Sequence, residues 1–176
     1  MTEPTTAFEV VWKQPDDCSR RELELFEETV LLGGEVIRAG LTGRIRNAER
    51  LIFCKADGLL LGVAALKRPA EGYLADKADK AKVDLDDKDW PLEFGWAFVC
   101  PSARGNQLPS RMLRSVLDGI DCGVFATSRR DNSRIHVALE AADFVQTGES
   151  YNSDRGRGKM MLFLRPAKKP PQTSEA

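Results

Sequence analysis

Hydrophobic and polar positions change period several times along the chain, and each change marks an element. Phe8, Val10 and Trp12 alternate with Ala7, Glu9 and Val11, which predicts a strand ending near Gln14-Pro15. Ser19 followed three residues later by Glu22 has capping-box spacing. Leu23, Phe26 and Val30 then recur at helical spacing up to Gly33-Gly34. Val36, Ile37, Leu41 and Ile45 lie between glycines and predict a second, broken helix across residues 35–48. Two apolar runs, 51–56 and 59–66, flank Asp57-Gly58, the dipeptide whose left-handed conformations suit a two-residue hairpin turn.

Residues 69–89 turn polar and predict a long, functional or mobile connection. Residues 92–100 alternate again, with Leu92, Phe94, Trp96 and Phe98 on one parity and Glu93, Gly95, Ala97 and Val99 on the other. After a loop at 101–106, Leu108, Met112, Leu113, Val116, Leu117 and Ile120 form one apolar helical stripe ending near Gly123. A short buried strand is predicted at 124–127. Asp131 or Asn132 caps a further helix carrying Ile135, Ala138, Leu139 and Ala142. Strands at 144–151 and 159–164 follow, joined by a polar turn with glycines.

This order implies a parallel strand pair with a right-handed crossover inside an otherwise antiparallel sheet, hence an α/β protein. The length of 176 residues suits one domain, taken as residues 1–166, with a disordered tail at 167–176. Twenty-six basic and 27 acidic side chains balance to a net charge of −1, so no nucleic-acid partner is expected. His136 is the only histidine, which removes metal sites and catalytic arrangements that need two imidazoles, and no metal is expected. Cys18, Cys54, Cys100 and Cys122 have no close pairing, and the start of the chain is polar. No apolar run approaches the ~20 residues of a membrane span. These features predict reduced thiols and a cytoplasmic protein without a membrane partner.

Three spacings give the chain, over residues 8–165, a resemblance to the GNAT superfamily of acyl-CoA-dependent N-acyltransferases. The first is the segment Arg104, Gly105, Asn106, Gln107, Leu108, Pro109, Ser110, Arg111, placed after a strand and at the start of a helix. In the family an Arg or Gln here leads into a glycine-containing loop whose amides receive a pyrophosphate, as helix N-termini do. Gln107 and Pro109 stand where the family has glycine and another small residue. Pro109 donates no N–H, although its fixed φ suits a first helical turn. The second is Glu93, eleven residues before Arg104, at the position of a general base. An amine arriving as ammonium must lose a proton before it can attack a thioester. Phe98 and Val99 match the positions whose backbone aligns the acyl carbonyl and the pantetheine arm. The third is Asn132 followed by Leu139, Asp143 and Phe144. It keeps the frame of the family's last helix but replaces the Tyr that protonates the leaving thiolate by Leu139.

The resemblance implies a mixed, centrally splayed β-sheet flanked by helices, acetyl-CoA as cosubstrate, and direct acetyl transfer to a primary amine in a ternary complex. It implies a cofactor site of Phe98, Val99, residues Arg104 to Arg111 and Asn132. Glu93 is the implied base, and Tyr151 heads the candidates for the acid, with His136, Cys100 and water beside it. The acceptor, an amine-bearing small molecule or a peptide, would enter between the second helix and the acidic connection. Gly95 and Ala97 leave room for a longer acyl group, and a homodimer stays open. The departures at Gln107, Pro109, Leu139 and Asp143 motivate the alternative of a catalytically inactive GNAT-like module for CoA binding or protein interaction.

Overall fold

The structure, a computed structural model, describes residues 7–169. Its strands are β1 (Glu9–Lys13), β2 (Arg50–Ala56), β3 (Leu59–Lys67), β4 (Leu92–Val99), β5 (Val124–Arg129), β6 (Val145–Asn152) and β7 (Lys159–Arg165). Its helices are α1 (Arg20–Leu32), α2 (Leu41–Arg46), α3 (Tyr73–Lys80), α4 (Leu108–Leu117) and α5 (Ser133–Ala141). The strands form one sheet in the order β1-β2-β3-β4-β5-β7-β6. β4 and β5 are the parallel pair, and the other neighbours run antiparallel. The α/β architecture with a mixed sheet expected from the order of elements is the one observed.

Local chemistry explains many of the boundaries. Ser19 Oγ accepts from the Glu22 amide and Glu22 Oε2 accepts from the Ser19 amide, so the capping box starts α1. Asp57 and Gly58 both have positive φ, 51° and 77°, the backbone of a hairpin turn that follows the strand twist. The second helix is shorter than its pattern suggests. Gly34 and Gly40 take left-handed φ values of 71° and 70°, so only residues 41–46 are helical, and Leu41 and Ile45 are buried.

The polar connection at 69–89 is docked, and it contains α3. Leu74, Lys77 and Ala78 are buried beneath it. Its C-terminal end meets β6 where the Glu149 amide donates to the Ala81 carbonyl at 2.8 Å. A Cβ on Gly148 would lie 2.3 Å from that same oxygen, so this close approach requires glycine. With few apolar residues in an eight-residue helix, the periodic signal is too short to stand out from its acidic surroundings.

Two apolar layers cover the sheet. On one face α4 and α5 pack on Ile52, Ala64, Leu66, Phe94, Val124 and Ala126. On the other, α1 and α2 cover Leu51, Phe53, Val63 and Ala65, while α3 covers Phe125, Tyr151, Leu162 and Leu164. The second face therefore carries two separate clusters, with the β4–β5 junction between them.

The expected alternation of β4 breaks at Trp96. Val63 pairs with Phe98 and Ala65 with Gly95, so β4 takes one residue more than β3 across the same interval. Trp96 absorbs it with φ 52°, a left-handed conformation rare for a bulky side chain. Leu92 and Phe94 face α4, but Trp96 and Phe98 join the α1 cluster on the opposite face. Beyond β7 the Lys168 amide donates to the Asp121 carbonyl at 2.9 Å. The remainder of the expected tail, residues 170–176, lies outside the described residues. Among the described residues no helix is long and apolar enough to cross a membrane, and all four cysteines are free thiols.

Candidate functional site

The parallel pair is short. Leu92, Glu93 and Phe94 pair with Val124, Phe125 and Ala126, and no register continues beyond Phe94. The bulge at Trp96 begins two residues later and turns β4 away from β5. Phe98 and Val99 keep β3 as a partner, through Val63 and Gly62, and have none on the β5 side. The sheet is thus splayed at its centre. Helices α4 and α5 follow the carboxyl ends of β4 and β5, so two helix N-termini open beside the splay, the usual place for a ligand in such sheets.

The segment before α4 is an exposed loop of backbone donors. Gly105 has φ 87° and Gln107 φ 53°, while Ala103 and Leu108 are buried and anchor its two ends. Among the described residues, the amides of Gly105, Asn106, Gln107, Leu108 and Ser110 donate to no protein acceptor. Asn106 Nδ2 donates to the carbonyls of Ala103 (2.9 Å) and Arg104 (3.3 Å), which folds the loop back on itself. Gln107 adopts the left-handed conformation of a glycine, at a cost of about 1 kcal/mol. Pro109 lies in the first turn, where an N–H has no intrahelical acceptor. The Arg104 side chain is exposed. Free amides, a guanidinium and a helix N-terminus are a donor set that fits a diphosphate.

Two of the expected binding side chains are engaged elsewhere. Arg111 Nη2 donates to the Phe8 carbonyl at 2.6 Å and ties α4 to the entry of β1. Asn132 Oδ1 accepts from the Ile135 amide at 3.4 Å and caps α5. Both stand at the helix N-termini beside the splay, although α4 and α5 use their side chains structurally. Ser110 lines a surface cavity of about 210 Å³ between α4 and α5. A larger one of about 590 Å³ lies along α1.

On the opposite face Glu93 is 4% exposed, at the gap between the two apolar clusters. Its Oε2 is 2.8 Å from Lys67 Nζ, and that ammonium lies 5.1 Å from the centre of the Trp96 ring. The Tyr73 ring packs on Phe125 at 6.2 Å, and Phe125 is the residue paired with Glu93. Burial, followed by the nearby Glu93 charge, pushes the Tyr73 phenol well above its ordinary range, with the Thr127 hydroxyl acting in the opposite sense. A rim closes the end of the splay. Arg129 bridges Glu35 Oε1 and the Arg157 carbonyl, each at 3.0 Å, and Arg155 donates to the Gly34 carbonyl at 3.2 Å. Lys67, Tyr73 and Arg129 escaped the sequence reading. They lie in a strand end, a polar connection and a short strand: strand pairing brings Lys67 to Glu93, the docking of α3 brings Tyr73 near it, and Arg129 stands on the rim with Glu35.

Tyr151 lies in β6. Its hydroxyl is fully buried without a hydrogen-bond partner, and its ring packs with Leu74, Phe125 and Leu162 beneath α3. Burial raises its pKa. The Tyr73 and Glu93 charges act on it in the same sense. His136 Nε2 is 2.9 Å from the Arg129 carbonyl and its ring lies 5.0 Å from Phe163, so it holds the end of β5. Leu139, at the family's Tyr position, is fully buried in the core.

No protein-family model and no curated protein matches the sequence. Solved structures match its fold. An acetyltransferase of the GNAT family from Streptococcus agalactiae is 15% identical with a TM-score of 0.62, covering 94% of this chain and 100% of that one. An acyl-CoA N-acyltransferase from Pseudomonas aeruginosa is 17% identical with a TM-score of 0.60, over 90% and 99%. An aminoglycoside acetyltransferase, solved with coenzyme A and kanamycin, is 11% identical with a TM-score of 0.61, over 90% and 95%. The chain has the GNAT acyl-CoA N-acyltransferase fold.

Proposed function

We propose that this protein transfers an acetyl group from acetyl-CoA to a primary amine by direct attack in a ternary complex. The observation that carries the reading is the splay itself. β4 leaves β5 at a left-handed Trp96, next to a loop with free amides on one side and a buried carboxylate on the other.

In this reading the amides of residues 105–108 and the Arg104 guanidinium hold the cosubstrate's diphosphate, with Ser110, Arg111 and Asn132 at the two helix N-termini beside it. Backbone groups of Phe98 and Val99, unpaired on the β5 side, align the thioester and stabilise charge that develops on its carbonyl oxygen. Acetyl-CoA supplies the activated acyl group. Glu93 accepts the proton of the acceptor ammonium, directly or through water. Tyr73, kept protonated by burial, is the hydroxyl donor on Glu93's face, in preference to Tyr151. The acceptor enters between α2 and the α3 connection, beneath the Arg129–Glu35 rim.

The test is calorimetric titration of the protein with acetyl-CoA and with free CoA, repeated on Arg104→Ala, followed by an acetyl-transfer assay against primary amines. Binding that collapses in Arg104→Ala, with turnover that falls more than tenfold in Glu93→Gln, is the expected result. Absence of acetyl-CoA binding to the unmodified protein overturns the reading and favours a non-enzymatic interaction module.

A further inference from the structure

Glu93 does not stand alone. Lys67 opposes it directly in the β3–β4 ladder. The Lys67 ammonium is 2.8 Å from Glu93 Oε2, and the two side chains are only 16% and 6% exposed. A carboxylate that deep needs a compensating partner, and among the described residues Lys67 is the cation that reaches it. The path of Lys67 depends on its neighbour. A Cβ on Gly95 would lie 2.7 Å from Lys67 Cε and 2.9 Å from Nζ, so the missing side chain is what lets the lysine cross β4. The face of Trp96, 5.1 Å away, limits where the ammonium settles. Glu93 Oε1, in turn, is 3.7 Å from that Gly95 Cβ position, on the side where the β4–β5 pairing ends.

We propose that Lys67 is a positioning residue that grips Glu93 by Oε2 and presents Oε1 to the splay as the proton-accepting atom. This rests on the acetyl-transfer reading. The two oxygens then have separate tasks. When the acceptor ammonium gives up a proton, an N–H bond breaks and an O–H bond forms at Oε1. Ammonium and carboxylate become amine and carboxylic acid, and Lys67 keeps its own proton throughout. Trp96 has a second task as well, since the left-handed bulge that opens the splay also brings its indole against the Lys67 ammonium.

The decisive measurement is a kinetic cycle on the full chain with acetyl-CoA and three probe amines: ethanolamine, 1,4-diaminobutane and a lysine-containing peptide. Lys67→Met is expected to lower kcat about tenfold while KM for the amine stays within about twofold, and Lys67→Arg restores most of the loss. In a Glu93→Gln background Lys67→Met should cost nothing further, because Lys67 acts only through Glu93. An equal loss in both backgrounds, or no loss in Lys67→Met, overturns the proposal. Thermal unfolding of the same four proteins supplies a second readout. Lys67→Met should lower Tm and added Glu93→Gln should recover it, and failure to recover also overturns the proposal. Recovery of Tm together with no acetyl transfer by the unmodified protein retains the Lys67–Glu93 unit and overturns the transfer reading alone.

Discussion

Gly95 and Lys67 share one space: a Cβ on the glycine would stand 2.7 Å from the lysine Cε. The glycine is there to let a neighbouring strand's side chain pass, since its φ is not in the left-handed region. Because the atoms in the way are the flexible end of Lys67, Gly95→Ala should make the ammonium shift while it still pairs with Glu93, at a cost of about 1 kcal/mol or less. Chemical denaturation of the variant checks this. A loss of about 3 kcal/mol would show instead that the lysine cannot move aside and that Glu93 is left unmatched.

Trp96 reverses an ordinary ranking. Its ring meets Phe26 edge-on at 6.4 Å, so truncation loses aromatic packing. Its backbone at φ 52° favours glycine over alanine by about 1 kcal/mol. Trp96→Gly should therefore be more stable than Trp96→Ala, the opposite of the order in a regular strand interior. Equilibrium unfolding of the pair decides it, and the reverse order would mean that the bulge relaxes once the indole is gone.

Tyr73→Phe removes one hydroxyl near Glu93 and Thr127 and leaves the ring on Phe125. Under the acetyl-transfer reading turnover should fall about 10- to 100-fold, in the range of one proton-transfer group. Tm should change little. Tyr151→Phe should leave turnover within about twofold and stability equal or higher, because its hydroxyl is buried without a partner. Parallel steady-state kinetics of the two variants separates the phenols.

Acid should loosen two surface ties before the core. Hydrogen bonding from Lys13, then from the Ser19 amide, lowers Glu22 from 4.5 to about 2. Hydrogen bonding from Lys77 and then Lys80 lowers Asp154 from 3.8 to about 2. Both carboxylates have folded-state values below their unfolded ones. Their contribution is complete above the unfolded values and is lost as pH falls from about 4.5 to about 2. Each is worth about 1 kcal/mol or less, because solvent reaches Lys13, Lys80 and Asp154 and screens these pairs. The double variant Glu22→Gln, Asp154→Asn should be less stable than the parent at pH 6 and nearly equal to it at pH 2. A constant gap across that window would contradict the assignment.

Much of the fold was readable because it is set by short-range chemistry. A capping box needs only Ser19 and Glu22 three residues apart, and the hairpin needs only a dipeptide that tolerates positive φ at Asp57 and Gly58. The stripes of α1 and α4 follow from a 3.6-residue period over ten residues or more. The eleven-residue spacing of Glu93 and Arg104 likewise belongs to the chain itself.

Only tertiary structure decided the rest, and the reason is register. Pattern alone cannot reveal that β4 carries one extra residue against β3, yet that insertion sends Trp96 and Phe98 to the opposite face from Phe94. Lys67 reaches Glu93 through strand pairing, and Tyr73 comes near it through the docking of a polar helix, contacts with no local signature. Burial has none either. Tyr151 has the residue type a proton donor needs, and it is the packing of α3 over β5, β6 and β7 that buries its hydroxyl.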